Sequence, residues 1–181
     1  MSRITVIDAS NANPEQAALL AAIQDKLGMV PNFLKVLANS PAALQAFLGL
    51  HSISGSGSLS ELTRERIALA LAQMNGCAYC VSAHTAIGRK SGLSGAEVTA
   101  ARTGTSEDAK AALAVKFARS LTENTGEVST AELLEMRNAG YTDSDLVEII
   151  VHVALNLLTN ILAKSSRIEI DFPKVDLKLA A

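Results

Sequence analysis

Stretches rich in alanine and leucine alternate along this chain with short polar punctuation, and the punctuation is that of helices. Asn13-Pro14-Glu15 supplies a cap, a proline at the first helical position and an acid in the first turn, with Gly28 closing the segment. Ser40-Pro41 repeats the signal for a helix running to about Ile53. Ser60 opens a segment almost wholly apolar from Ile67 to Ala72, which predicts a buried helix stopped by Asn75-Gly76. Ser94 and Glu97 have capping-box spacing, and Ser106-Glu107-Asp108 opens a helix through about Leu121. Thr130 to Asn138 follows, closed by Gly140, and Thr142-Asp143-Ser144-Asp145 starts the longest helix, ending near Ser165. Only Ile4 to Ile7 and Ile168 to Phe172 have the apolar character of strands, and both are short and terminal. The pattern predicts one all-α domain over residues 1–181, with about seven or eight helices. The Gly/Ser run Ser54 to Ser58 is a loop by its length, not a domain linker.

Composition narrows the function classes. Of 181 residues, 49% are hydrophobic and 19% charged, which excludes a disordered tail. A net charge of −2 offers no basic field for nucleic acid or anionic lipid. The unbroken apolar runs fall far short of the ~20 residues that span a bilayer, so no membrane segment is expected. Two cysteines are too few for a secreted disulfide scaffold, and residues 1–10 lack a signal-peptide core. The expected location is the cytoplasm. Thirty alanines and a mean hydropathy of +0.25 leave more apolar surface than one small domain buries, so a homo-oligomer is expected.

The chemistry concentrates between Ser60 and Gly92, SELTRERIALALAQMNGCAYCVSAHTAIGRKSG. Cys77 and Cys80 stand three apart at a helix start, on one face, where a disulfide can close. His84 lies one turn beyond Cys80 on that face. A helix N-terminus favours the thiolate, and a neighbouring imidazole can take up its proton. If the helices on either side of Gly76 form an antiparallel hairpin, His84 falls opposite Ala68 and Glu65 shares its face. A carboxylate there can polarise the imidazole.

Glu65, eleven intervening residues, Cys77-Ala78-Tyr79-Cys80, three more, then His84 resembles the active-site pattern of the AhpD-like alkylhydroperoxidases, in the carboxymuconolactone decarboxylase superfamily. Leu27-Gly28-Met29-Val30-Pro31-Asn32, Asn39-Ser40-Pro41-Ala42-Ala43 and the late helix with Asn156 and Asn160 resemble its peroxidase-related branch. The resemblance implies Cys80 as the peroxide-attacking thiol, Cys77 as the resolving thiol, and His84 with Glu65 as a proton relay. It further implies an all-helical fold, trimers or hexamers, a hydroperoxide substrate and an external dithiol reductant such as a lipoyl-bearing adaptor. No cofactor is required. Tyr79 departs from the histidine of the best-known members, and a phenol is a poor base at neutral pH.

Blander readings stand beside this one. A CxxC can be half a zinc site, but structural zinc wants four ligands and the chain has two cysteines and three histidines. Two inert core cysteines are equally conceivable. Glu65 in Arg64-Glu65-Arg66 has the setting of a surface ion pair. Glu148, His152, Asn156 and Asn160 form a polar ridge, read first as a buried network or subunit contact and second as a pocket wall; His51 reads as ordinary surface. Rival functions are a CxxC redox switch or disulfide-exchange protein without turnover, and a carboxymuconolactone-type decarboxylase, which generally lacks paired cysteines.

Overall fold

In a computed structural model, described here over residues 2–179, the chain forms nine α-helices and, among the described residues, no strand. They are α1 (Pro14–Leu27), α2 (Asn32–Leu37), α3 (Pro41–Ser54), α4 (Glu61–Met74), α5 (Ala78–Ser91), α6 (Gly95–Thr103), α7 (Ala109–Glu123), α8 (Thr130–Asn138) and α9 (Asp143–Ser166). The helix not foreseen is α2, six residues long and without a side-chain cap. It is held by Leu34, Val36 and Leu37, all buried, so tertiary packing makes it, not local sequence. The two strand candidates are extended but join no ladder. Arg3 N–H donates to the Ser166 carbonyl (2.7 Å) and Ile7 N–H to the Lys35 carbonyl (3.2 Å), so the first segment satisfies its backbone on helix ends.

Helix α4 is the axis. Arg66 through Ala72 are all buried, and α5, α6, α7 and α9 pack around it. Ile67, Leu69 and Leu71 are fully enclosed, and each such side chain contributes about 1.5–3 kcal/mol. Arg66 is buried too, and its Nε donates to Glu97 Oε1 on α6 at 2.6 Å. Burial pushes the Glu97 carboxyl up, but hydrogen bonds from Ser106, Arg66 and the Glu107 N–H outweigh it and hold the group below the usual carboxylate range. That satisfied charge fixes how α6 lies against α4.

Gly76, with φ +62°, makes the left-handed turn that folds α5 back along α4. At the far end of the chain Arg167, also left-handed, ends α9 and releases an extended strap over residues 168–179. The strap is tied to α5 and to the end of α4: Val175 N–H donates to Ser82 Oγ on α5 (3.0 Å) and Gln73 Nε2 on α4 to the Leu177 carbonyl (2.9 Å). Counted over the whole helix and not by unbroken run, α9 is long and apolar enough to cross a membrane, contrary to the expectation that no segment is. In this fold its inner face, including Leu146, Ile149 and Val153, is core.

Candidate functional site

Cys77 is the N-cap of α5, and its Sγ accepts a hydrogen bond from the Cys80 N–H at 3.2 Å. With a Cα–Cα distance of 5.3 Å the two sulfurs are joined as a disulfide in the first turn. The pair is enclosed: Cys77 is 1% exposed and Cys80 3%. Val36 of α2, Ala72 of α4, Ala163 of α9 and strap residues Ile168, Ile170, Phe172, Val175 and Leu177 belong to the same apolar cluster.

One turn further along α5, His84 Nδ1 lies 2.9 Å from Glu65 Oε2 on α4. Both side chains are partly shielded, at 23% and 13% exposure. A proton on Nδ1 directed at the carboxylate leaves Nε2 as the free lone pair of the ring. The hairpin brings the two together because α4 and α5 approach closely. Ala68, on the Glu65 face, is buried. Gly88 is the contact the sequence reading missed: a Cβ there would stand 3.6 Å from Glu65 Cβ and 2.9 Å from Leu93 Cδ1. Its signal was present, a glycine one turn past His84 inside a helix, where glycine is otherwise costly.

Tyr79 is buried and its hydroxyl donates to Asp171 Oδ1 at 2.7 Å. The Tyr79 hydroxyl oxygen accepts from the Phe33 N–H at 3.4 Å, while Asp171 Oδ2 accepts from the Asn32 N–H at 2.7 Å. Phe33 and Phe172 meet the Tyr79 ring edge-on. Burial, then the Asp171 carboxylate, push the phenol far above its ordinary pKa, so it remains a donor at any working pH. Tyr79 is a bolt between α5, α2 and the strap. Asp171 also escaped the sequence reading, although an acid inside the apolar run 168–172 was a sign of a specific partner.

The polar ridge of α9 divides by function instead of forming one network. Glu148 accepts from the Ser58 and Leu59 N–H groups (2.9 and 3.0 Å) and pins the Gly/Ser loop. A Cβ at Gly57 would lie 2.5 Å from that carboxylate, so the loop closes on it only with glycine. Asn156 Nδ2 donates to the His152 carbonyl on its own helix (2.8 Å), and Asn160 Oδ1 accepts from Asn75 Nδ2 (2.9 Å). His152 is buried and its Nε2 has no hydrogen-bond partner among the described residues. Burial, then the Arg64 guanidinium, hold its imidazole below the ordinary value. No hydrogen bond links His152 or Asn156 to the Cys77–Cys80, His84, Glu65 group. His51 is nearer than its reading as plain surface allowed. It remains exposed as a residue, yet its ring leans on Phe47, and partial desolvation, then the charge of His84, lower its pKa while Glu65 raises it. Among the described residues no three His, Cys, Asp or Glu side chains converge as metal ligands.

The carboxymuconolactone decarboxylase family model matches residues 41–124, the stretch that contains the α4–α5 hairpin. An uncharacterized peroxidase-related protein from Silicibacter sp. TM1040 superposes with a TM-score of 0.80, at 28% identity, over 92% of this chain and 92% of that one. An uncharacterized peroxidase-related protein from Ralstonia eutropha JMP134, described as an alkylhydroperoxidase AhpD core, gives 0.83 at 26% identity, over 94% and 92%. The debrominase Bmp8 shares the fold at 20% identity, with a TM-score of 0.76 over 93% and 92%. The uncharacterized protein YdfG of Bacillus subtilis (strain 168) is 34% identical over 53 residues, which is 29% of this chain and 36% of that protein.

Proposed function

We propose that this chain, which belongs to the AhpD-like proteins of the carboxymuconolactone decarboxylase superfamily, is a thiol-dependent peroxidase acting on H2O2 or organic hydroperoxides. The observation that carries the reading is the disulfide in the first turn of α5 with the His84–Glu65 pair one turn away. In the reduced protein the Cys80 thiolate attacks the terminal peroxide oxygen. The O–O bond breaks, and the leaving alkoxide takes a proton through His84 to depart as alcohol, or as water from H2O2. Cys80 is left as a sulfenic acid. The Cys77 thiolate then attacks the Cys80 sulfur, expelling hydroxide, which leaves as water once protonated, and closing the disulfide. An external dithiol, of which a lipoyl-bearing adaptor is the proposed source, attacks Cys77 and leaves as its own disulfide. The sum is hydroperoxide plus dithiol giving alcohol, water and disulfide. Glu65 orients His84 through its Nδ1. The cycle draws on an external dithiol kept reduced, which supports the cytoplasm as the proposed location.

The test is peroxide consumption driven by a dithiol, comparing the wild type with Cys80→Ser and Cys77→Ser. Cys80→Ser is expected to abolish turnover. Cys77→Ser is expected to permit one round and trap the sulfenic acid on Cys80. Turnover in the wild type no greater than in Cys80→Ser defeats the reading. One observation favours a second reading, a disulfide switch without turnover: both cysteines are almost fully enclosed, in an apolar cluster to which the strap contributes. Slow oxidation by peroxide with no catalytic cycle would select it. A decarboxylase role has no feature of this site in its favour, because lactone decarboxylation does not call on a dithiol.

A further inference from the structure

His152 is only 5% exposed and its Nε2 is buried without a partner, a costly state for an imidazole that nothing meets. Its surroundings can be traced bond by bond. Glu148, one turn earlier on α9, accepts the Leu59 N–H, and the Leu59 carbonyl accepts Arg64 Nη1 at 2.5 Å. The guanidinium and the imidazole therefore flank one stretch of α9, and the Arg64 charge acts directly on the His152 ring. The end of α3 closes the other side. Phe47, His51 and Ser54 are spaced four and three, so they share one face of that helix, and both the Ser54 carbonyl and the His51 ring bear on His152. His51 in turn feels the charges of His84 and Glu65. The three histidines of the chain thus form one continuous series, from His84 beside the sulfurs through His51 to His152.

Arg64 is the cation in this series without an acid. Arg66 has Glu97, Arg119 has Glu123 and Arg137 has Asp143, whereas no carboxylate pairs with Arg64 among the described residues. Only its Nη1 is engaged, on the Leu59 carbonyl. The nearby acids are taken: Glu65 by His84, and Glu148 by the Ser58 and Leu59 N–H groups. A free guanidinium edge beside a free imidazole nitrogen matches the two oxygens of a carboxylate, one to each. Between that pair and His84 the wall on α3 is apolar. The Phe47 and His51 rings lie 5.8 Å apart, centroid to centroid, and Leu50 is exposed beside them.

We infer that Arg64 and His152 form a carboxylate subsite, and that the hydroperoxide reduced here is one whose apolar chain ends in an acid. The peroxide end lies at Cys80 and His84, the chain runs along Phe47, and the acid sits between Arg64 and His152. The loop exposed from Gly55 to Ser58 is the rim where such a chain enters. The inference rests on the peroxidase reading for the reaction, to which it adds no step, and not for the binding.

The kinetic test compares the hydroperoxides of linoleic acid with their methyl esters, which keep the peroxide and lack the charge. The wild type is expected to prefer the acid at least tenfold in kcat/KM, the effect of one charge-assisted hydrogen bond, with the difference in KM. Arg64→Gln and His152→Gln should each erase most of that preference, and Arg64→Lys should restore part of it. The binding test needs no turnover: calorimetry of the disulfide form with the matching hydroxy acid, together with imidazole 15N shifts of His152. The acid is expected to bind at least tenfold more tightly than its methyl ester, to shift His152, and to lose that advantage in Arg64→Gln. Equal binding of acid and ester, or an unmoved His152, overturns the inference whether or not peroxide is consumed. Selective binding of the acid without turnover upholds the subsite and defeats the peroxidase reading. Turnover of acid and ester at equal kcat/KM upholds that reading and overturns the subsite.

Discussion

Replacing Tyr79 by phenylalanine removes one oxygen and keeps the ring that packs edge-on against Phe33 and Phe172. The lost group donates to the Asp171 carboxylate at 2.7 Å and accepts from the Phe33 N–H at 3.4 Å. A hydrogen bond to a charged acceptor contributes about 1.5–3 kcal/mol net. The lower end applies, because Asp171 is only half-buried, keeps the Asn32 N–H and can take water in place of the phenol. A loss of about 1.5 kcal/mol confined to the closed strap raises its open population roughly tenfold. Two measurements read this. Amide hydrogen exchange at Val175, whose N–H is held by Ser82 Oγ, should speed about tenfold. Reduction of the Cys77–Cys80 disulfide by dithiothreitol should accelerate by a similar factor if the strap, which packs in the same apolar cluster, limits access to the sulfurs. If Val175 exchanges faster while the disulfide is reduced at the wild-type rate, the strap does not govern access to the sulfurs. If neither changes, the Tyr79–Asp171 bond contributes nothing to closing it.

Stability should fall as the pH drops below about 6.5, the ordinary histidine value, because burial holds the His152 imidazole lower in the folded chain. In the window between those two pKa values the unfolded chain binds the extra proton, so stability rises with pH there and is lost on acidification. Thermal melts from pH 5 to 8 should show that limb in the wild type and a flatter one in His152→Gln; equal slopes would refute the assignment. Gly88→Ala would set its Cβ 2.9 Å from Leu93 Cδ1 but at ordinary contact distance, 3.6 Å, from Glu65 Cβ. The leucine tip can yield and alanine favours the helix by about 1 kcal/mol, so denaturant melts should show a change below about 1 kcal/mol and imidazole 15N shifts of His84 should stay as in the wild type; a loss above about 2 kcal/mol with an altered His84 spectrum would mean that α5 is forced off α4.

What was legible in the sequence was local. Caps act within four residues, which is why Asn13, Ser60, Ser94 and Thr142 are N-caps in the structure as their neighbours predict. The Glu65–His84 contact was legible for a related reason: one glycine turn joins two consecutive helices, so antiparallel register follows from counting back from Gly76. Helix α2 was hidden because its stability comes from burial of Leu34, Val36 and Leu37, not from propensity. The ridge of α9 misled because a spacing of four shows that residues share a face, not that they share a partner.

The chain order alone determined an all-helical protein with two thiols, an imidazole and a carboxylate on adjoining helices. These follow from periodicity, capping and a single turn, all interactions between near neighbours. Only the tertiary structure decided that the disulfide shares its apolar cluster with a strap bolted by Tyr79 and Asp171, 92 residues apart, that Glu148 closes the loop at Gly57, and that one face of α9 is left uncovered. Those are contacts between distant segments. They arise from how helices of given length stack around α4, and no local pattern encodes which distant side chain arrives at which site.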